Sequence, residues 1–201
     1  YDPVHKEFEG WPVRVDPKLL EKKHEETASR AIEALENHLQ RVKYIMHERS
    51  LTKLQQLGIW IELDNSGLSN MQYHPDRNWL IDHGQDPRLA KHVHIPHASR
   101  LYARHMWVKH PYVVLHELAH AYHDQILGFD HPGIREAYRR AKESGTYDKV
   151  LLYTGKRVQH YAMTNHKEYF AETSEAYFGV NDFYPFVRAE LKEHDPPGFS
   201  L

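Results

Sequence analysis

The sequence predicts an α+β fold, a small mixed sheet combined with long helices, in one domain that spans residues 1–201. Two observations lead to this prediction. Residues 1–100 show a strand, a long helix and a second strand in succession, an order typical of parallel pairing through a right-handed crossover. Residues 101–201 are dominated by two helical patterns that carry histidines and glutamates among apolar neighbours.

The first elements follow from changes in the apolar period. Residues 11–15 alternate apolar and polar side chains, as a short strand does. An Asp-Pro pair then opens a helical pattern over residues 16–50. Residues 59–63 predict the second strand, and the Asp-Asn-Ser-Gly sequence at 64–67 predicts the turn that ends it.

A loop and a third strand complete the front half. Residues 69–90 contain two prolines and a glycine, and they predict a long loop with a short helical turn at 78–82. Residues 91–97 predict a strand with Val93 and Ile95 facing the core.

The most informative pattern is His-Glu-x-x-His at residues 116–120, inside an apolar helical segment. Histidines four positions apart project about 40° apart around a helix, so His116 and His120 can offer two nitrogens to one zinc ion. Glu117 can reach a metal-bound water and remove its proton. The chain has 18 histidines, so chance must be weighed, but polar side chains inside an apolar helix are costly unless something satisfies them. The context favours a metal site.

A catalytic zinc ion normally has three protein ligands, so a third ligand is expected. A third histidine six residues after His120 with a glycine midway is absent, since those positions hold Ile126 and His123. Asp124 and Asp130 remain open as aspartate ligands, although Asp124 lies one turn beyond His120 and is better placed to support a ligand. The other option is a glutamate on a second helix.

That second helix is predicted between Asn165, which suits an N-cap, and Gly179, which suits the position after a helix C-terminus. Glu168, Glu172 and Glu175 recur at i, i+4 and i+7 and therefore share one face. They form either a solvated acidic face or, beside the aromatic run that they flank, a set of carboxylates with buried partners.

The segment from Tyr161 to Glu172 resembles the second signature of the anthrax-lethal-factor-like zinc peptidases, gluzincins that also include the Pro-Pro endopeptidases. The tyrosine lies seven positions before Glu168, Asn165 lies three before it, and an aromatic-aromatic-Ala-Glu run follows. The similarity covers roughly residues 110–180. It implies a zincin-like metallopeptidase domain.

The resemblance implies a role for each matching residue. His116, His120 and Glu168 would bind one Zn²⁺ ion, and Glu117 would be the general base. Tyr161 would donate a hydrogen bond to the tetrahedral intermediate. Three nearby side chains are alternatives for this donor: Tyr147, Tyr153 and His160.

Supporting roles are expected around the ligands. A metal-bound imidazole donates its other N–H to a carboxylate or carbonyl, and Glu172, one turn beyond Glu168, would orient a ligand in this way. Asp124 and Asn165 are further candidates for supporting residues.

The strand at 91–97 is a candidate for substrate binding. In zinc peptidases of this architecture a strand just upstream forms the edge of the cleft and pairs with the substrate backbone. His92, Val93 and His94 would then bind substrate. That His92, His94 and His97 instead bind a second metal stays open, with a structural strand the preferred interpretation.

The composition and net charge of the chain restrict the classes of partner that we expect it to bind. A formal net charge of −2 and a pI near 6.9 give no electrostatic reason to bind nucleic acid or an anionic membrane. Cysteine is absent, which excludes disulfides and thiolate zinc sites. No apolar run approaches the roughly 20 residues that span a bilayer. Because the sequence begins at Tyr1 rather than Met, we expect a mature, secreted or extracytoplasmic form from which an export signal was removed.

The sequence therefore predicts a zinc-dependent peptidase, most simply an endopeptidase, whose partner is a protein or peptide substrate. One alternative is a catalytically silent zinc-binding domain used for protein recognition, against which the presence of Glu117 argues. Another is a hydrolase of a different amide bond.

Overall fold

The computed structural model describes residues 1–201, whose contacts divide into two compact units, Tyr1–Trp107 and Val108–Leu201. The mixed α+β class is confirmed. The strands are β1 Val4–Phe8, β2 Trp11–Val15, β3 Gly58–Ile61, β4 Gln72–Tyr73, β5 His92–Ile95, β6 Val150–Leu151 and β7 Arg157–Val158. The α-helices are α1 Glu25–Ile45, α2 Glu48–Leu54, α3 Arg77–Asp82, α4 Arg104–Lys109, α5 Val113–Tyr122, α6 Pro132–Ser144, α7 His166–Phe178, α8 Arg188–His194 and α9 Pro196–Phe199.

The first unit is built on a five-stranded sheet with the order β1-β2-β3-β5-β4. The predicted parallel pairing is confirmed: Val13 of β2 lies opposite Ile59 of β3, and β3 also pairs in parallel with β5. β1, which the sequence analysis did not predict, joins β2 in an antiparallel hairpin. Glu9 and Gly10 form its turn with φ angles of 53° and 91°, and the second position suits glycine because it has no Cβ.

The prediction of one helix over residues 16–50 is wrong at both ends. Two short 3₁₀ turns, Pro17–Leu20 and Lys22–His24, precede α1, and a break separates α1 from α2. Asp16 explains the early part: its side chain accepts hydrogen bonds from the backbone N–H groups of Lys18 and Leu63, which caps a tight turn and ties it to the residues after β3.

The expectation that β5 forms a free edge is corrected by the sheet order. β4 pairs along it, with Gln72 opposite His94 and Tyr73 opposite Val93, so this stretch of backbone has partners on both sides. Its side chains are also enclosed, with Val93 and His94 fully buried and Ile95 1% exposed. A substrate backbone therefore has no open edge at Val93 and His94.

The helices of the second unit gather around α7, which packs against α5, α6, α8 and α9. α6 and the β6–β7 hairpin were not predicted. α6 has Pro132 in its first turn and ends at Gly145, whose φ of 68° favours glycine. α8 and α9 follow α7 and end the unit.

Asp195 ties the end of the chain to the interior of the second unit. Asp195 is 5% exposed and accepts hydrogen bonds from the hydroxyls of Tyr147 and Tyr169 at 2.9 and 2.5 Å. It also caps α9 by accepting from the N–H of Gly198. No helix in residues 1–201 combines the length and the apolar character needed to cross a bilayer.

Candidate metal centre

The helix α5 carries the His-Glu-x-x-His pattern into the interior of the second unit. Residues Val113 to Ala121 are all buried, including His116 at 4%, Glu117 at 7% and His120 at 9% exposure. The apolar members of this run supply the driving force, and the two imidazoles project from one side of the helix, as predicted.

The helix α7 brings Glu168 to the same place. Asn165 is its N-cap, and the side-chain oxygen accepts hydrogen bonds from the N–H groups of Lys167 and Glu168 at 2.8 and 3.0 Å. Asn165 thus fixes the first turn of α7, in which Glu168 lies, and supports this residue through its backbone.

Three side-chain atoms converge where the sequence predicted a metal. Nε2 of His116 and Nε2 of His120 lie 3.1 Å apart, and Oε2 of Glu168 lies 3.3 and 3.2 Å from them. Donor atoms around a tetrahedral zinc ion with bonds of about 2.0–2.1 Å are separated by about 3.3 Å. The donor set therefore fits a metal in spacing and in chemistry.

The electrostatics of this cluster favour positive charge. Burial alone would raise the pKa of Glu168, but hydrogen bonds from the imidazoles of His116 and His120 hold it well below its usual range. Burial opposes protonation of His116, yet Glu168 and Glu175 together raise its pKa well above the ordinary value. A divalent cation would take the place of these protons among the same groups.

The carboxylate behind His116 is Glu175, which corrects the role expected for Glu172. Nδ1 of His116 donates to Oε1 of Glu175 at 2.5 Å, whereas Oε1 of Glu172 is 3.6 Å away. Glu172 instead accepts from the amide of Asn181 at 2.8 Å. Burial, and next the charge of Glu175, raise the pKa of Glu172 to about 8.

His110, which the sequence analysis did not single out, also lies in this centre. Its Nε2 donates to Oε1 of Glu175 at 2.8 Å. The ligand-capable atoms of His110, His116 and Glu175 lie within metal-binding distance of one another. The separations of 2.5 and 2.8 Å from one carboxylate oxygen match charge-assisted hydrogen bonds better than two ligands of a common ion.

The aspartates considered as third ligands lie outside both clusters of potential metal ligands. Asp130 is exposed and forms an ion pair with Arg135. Asp124 is partly buried in a π-helical turn at His123–Leu127 that follows α5. Glu168 is therefore the third donor that the fold brings to His116 and His120.

Tyr161 lies in a 3₁₀ turn just before α7 and is 48% exposed. Burial, and next the negative charge of Glu168, raise the pKa of its hydroxyl, and the charge of Glu117 acts in the same direction. Two alternatives are engaged elsewhere: Tyr147 is buried against Asp195, and Nδ1 of the buried His160 accepts from the N–H of Ala162.

The proposed substrate-binding residues belong to the sheet of the first unit, and their partners are structural. Each histidine of the group considered for a second metal has its own partner: the carbonyl of Ala90 for His92, Glu62 for His94 and Asp64 for His97. The preferred structural interpretation of this strand is thus supported.

No family model, curated protein or solved structure matches this chain. The resemblance to lethal-factor-like peptidases remains a prediction, and function has to be argued from the geometry of the second unit.

Proposed function

We propose that the chain is a zinc-dependent peptidase that hydrolyses peptide bonds, with His116, His120 and Glu168 as the metal ligands. The observation that carries the proposal is the set of mutual distances of 3.1–3.3 Å among their donor atoms, next to the buried Glu117 on the same helix. When bound, zinc would polarise a water molecule and bring its pKa to about 7.

Glu117 is the proposed general base. It is buried, follows His116 directly in α5 and is not one of the three converging donors. It accepts a proton from the attacking water and returns it to the nitrogen of the leaving amine.

Tyr161 is the proposed donor to the oxyanion of the tetrahedral intermediate. Its raised pKa keeps the hydroxyl protonated at neutral pH, as a hydrogen-bond donor requires. Its partial exposure allows it to meet a substrate, which the buried Tyr147 cannot do.

The test is cleavage of a diverse peptide library by the zinc-loaded protein, with Glu117→Gln in parallel. Loss of a general base should reduce turnover by roughly 10²–10⁴-fold. Zinc content, measured on the same samples, should stay unchanged because Glu117 is not a ligand. Equal cleavage by both proteins, or an absence of cleavage by zinc-loaded wild type, would contradict the proposal.

A further inference from the structure

Glu175 is a buried carboxylate whose two oxygens have different hydrogen bonding. It is 0% exposed, and both of its side-chain hydrogen bonds fall on one oxygen, Oε1, which receives Nδ1 of His116 at 2.5 Å and Nε2 of His110 at 2.8 Å. Its other oxygen, Oε2, is buried without a hydrogen-bond partner. The orientation of this carboxylate therefore depends on the two histidines.

His110 is fixed in turn to the helix that carries the metal ligands. Its carbonyl accepts the N–H of Val113, the first residue of α5, at 3.2 Å. Its imidazole is mostly buried and packs edge-on against that of His116, with ring centroids 5.4 Å apart. One residue thus connects the start of α5 to the middle of α7.

We infer that His110 is a positioning residue for the metal ligand His116 and acts through Glu175. In this hydrogen-bonded chain, His110 holds the Glu175 carboxylate, and Glu175 holds the Nδ1 proton of His116 so that Nε2 carries the lone pair toward the metal. The inference rests on the proposed function, because it assigns His116 to a zinc ion.

The expected consequence is a change in metal affinity without loss of any ligand. Without His110, the buried carboxylate keeps one donor and is free to rotate away from His116. Partners of this kind behind a ligand typically contribute 10–100-fold to metal affinity, and we expect about tenfold for His110 because it acts one step further from the metal.

The experiment measures zinc affinity of the full chain by competition with a chromophoric chelator. His110→Phe removes the donor and keeps an aromatic ring, whereas His110→Gln keeps a side-chain N–H near the position of Nε2. His131→Gln is the matched control, since His131 lies in the same unit outside both ligand clusters. We expect weaker binding for His110→Phe and near-wild-type binding for His110→Gln and His131→Gln.

A second readout separates positioning from a general loss of stability. The visible absorption of bound Co²⁺ reports the geometry of the ligands. The spectrum should differ from that of the wild-type protein in His110→Phe and match it in His110→Gln. If His110→Phe does not fold, His110→Asn, whose amide is too short to reach Glu175, takes its place. Wild-type affinity together with a wild-type spectrum in the donor-free variant would overturn the inference. Failure of the wild-type protein to bind zinc would instead refute the proposed function.

Discussion

The ring of Tyr112 occupies the space that a side chain on Gly179 would need. A Cβ atom at Gly179 would lie 2.6 Å from Cε1 of Tyr112. Tyr112 is the N-cap of α5, and Gly179 follows the last residue of α7. The two helices that carry the proposed metal ligands are therefore in contact at a point where only hydrogen fits.

Gly179→Ala should push this ring aside and destabilise the protein. Overpacking of this kind costs about 1–3 kcal/mol in the free energy of unfolding, measured by urea denaturation. Val180→Ala is the neighbouring control, because Val180 is 41% exposed and truncation of a surface residue changes stability by no more than about 0.5 kcal/mol. Equal stability of the two variants would show that the ring moves without cost.

Glu168→Gln should remove the stabilisation that zinc gives. A ligand that binds the folded state alone stabilises it by about 2.7 kcal/mol at a concentration of 100 times Kd. We expect the melting temperature of the wild-type protein to rise on addition of zinc and that of Glu168→Gln to rise much less. Glu193→Gln, an exposed change on α8, should respond as the wild type does. An undiminished response in Glu168→Gln would mean that another group supplies the third ligand.

Tyr161→Phe should lower kcat and leave KM nearly unchanged, because the hydroxyl is used in the transition state. Removing one donor to an oxyanion typically costs roughly 10²–10³-fold in kcat. Zinc content should be the same as in the wild-type protein. Tyr153→Phe tests the remaining alternative, since Tyr153 is also exposed, at 43%. A larger loss of kcat in Tyr153→Phe would transfer the role to that residue.

Three buried histidines should make the protein sensitive to mild acid. Burial is the largest cause that lowers the pKa values of His74, His123 and His160 to about 3. In the unfolded chain a histidine has a pKa of about 6.5, so the unfolded state binds protons first as pH falls. Their contribution to stability is complete above pH 6.5 or so and is lost as pH falls toward about 3.

His123→Leu isolates one of these groups. His123 is 0% exposed and neither ring nitrogen has a hydrogen-bond partner, so an apolar residue of similar volume should fit. In metal-free protein, the variant should gain stability relative to wild type by about 2 kcal/mol more at pH 5 than at pH 7.5. His5→Leu makes the same chemical change at an exposed position of β1 and is the matched comparison. A gain that is independent of pH would contradict the role of His123 protonation.

The ligand set could be read from local spacing, whereas its supporting residues could not. His116, His120 and Glu168 were predicted as ligands from their spacing and from the family resemblance, and the structure brings their donor atoms together. Glu172 and Glu175 both lie on the predicted ligand face, and the choice between them depends on how α7 is rotated against α5. The spacing of three glutamates over seven residues was the available signal for Glu175. That spacing does not determine how α7 is rotated against α5.

Some elements of the fold were predicted from the sequence and others were missed. β2, β3 and β5 have strongly apolar residues with a clear period, and all three were predicted. α6 was missed although Ile134, Ala137 and Ala141 recur on one buried face and Pro132 and Gly145 mark its two ends, so its sequence did contain a helical pattern. β6 and β7 have two residues each and no pattern of their own. Asp16 caps the first 3₁₀ turn locally and also accepts a hydrogen bond from the distant Leu63, a contact that the local sequence does not show.

The buried Asp195 gives the last seven residues an influence on the metal centre from a distance. Asp195 accepts a hydrogen bond from the hydroxyl of Tyr169, which directly follows Glu168 in the first turn of α7. Proteolytic clipping before residue 195 would leave that hydroxyl and the one on Tyr147 without their shared acceptor. The turn that presents Glu168, the proposed third ligand, would lose an anchor, so we expect a molecule clipped there to bind zinc less tightly although it keeps all three proposed ligands.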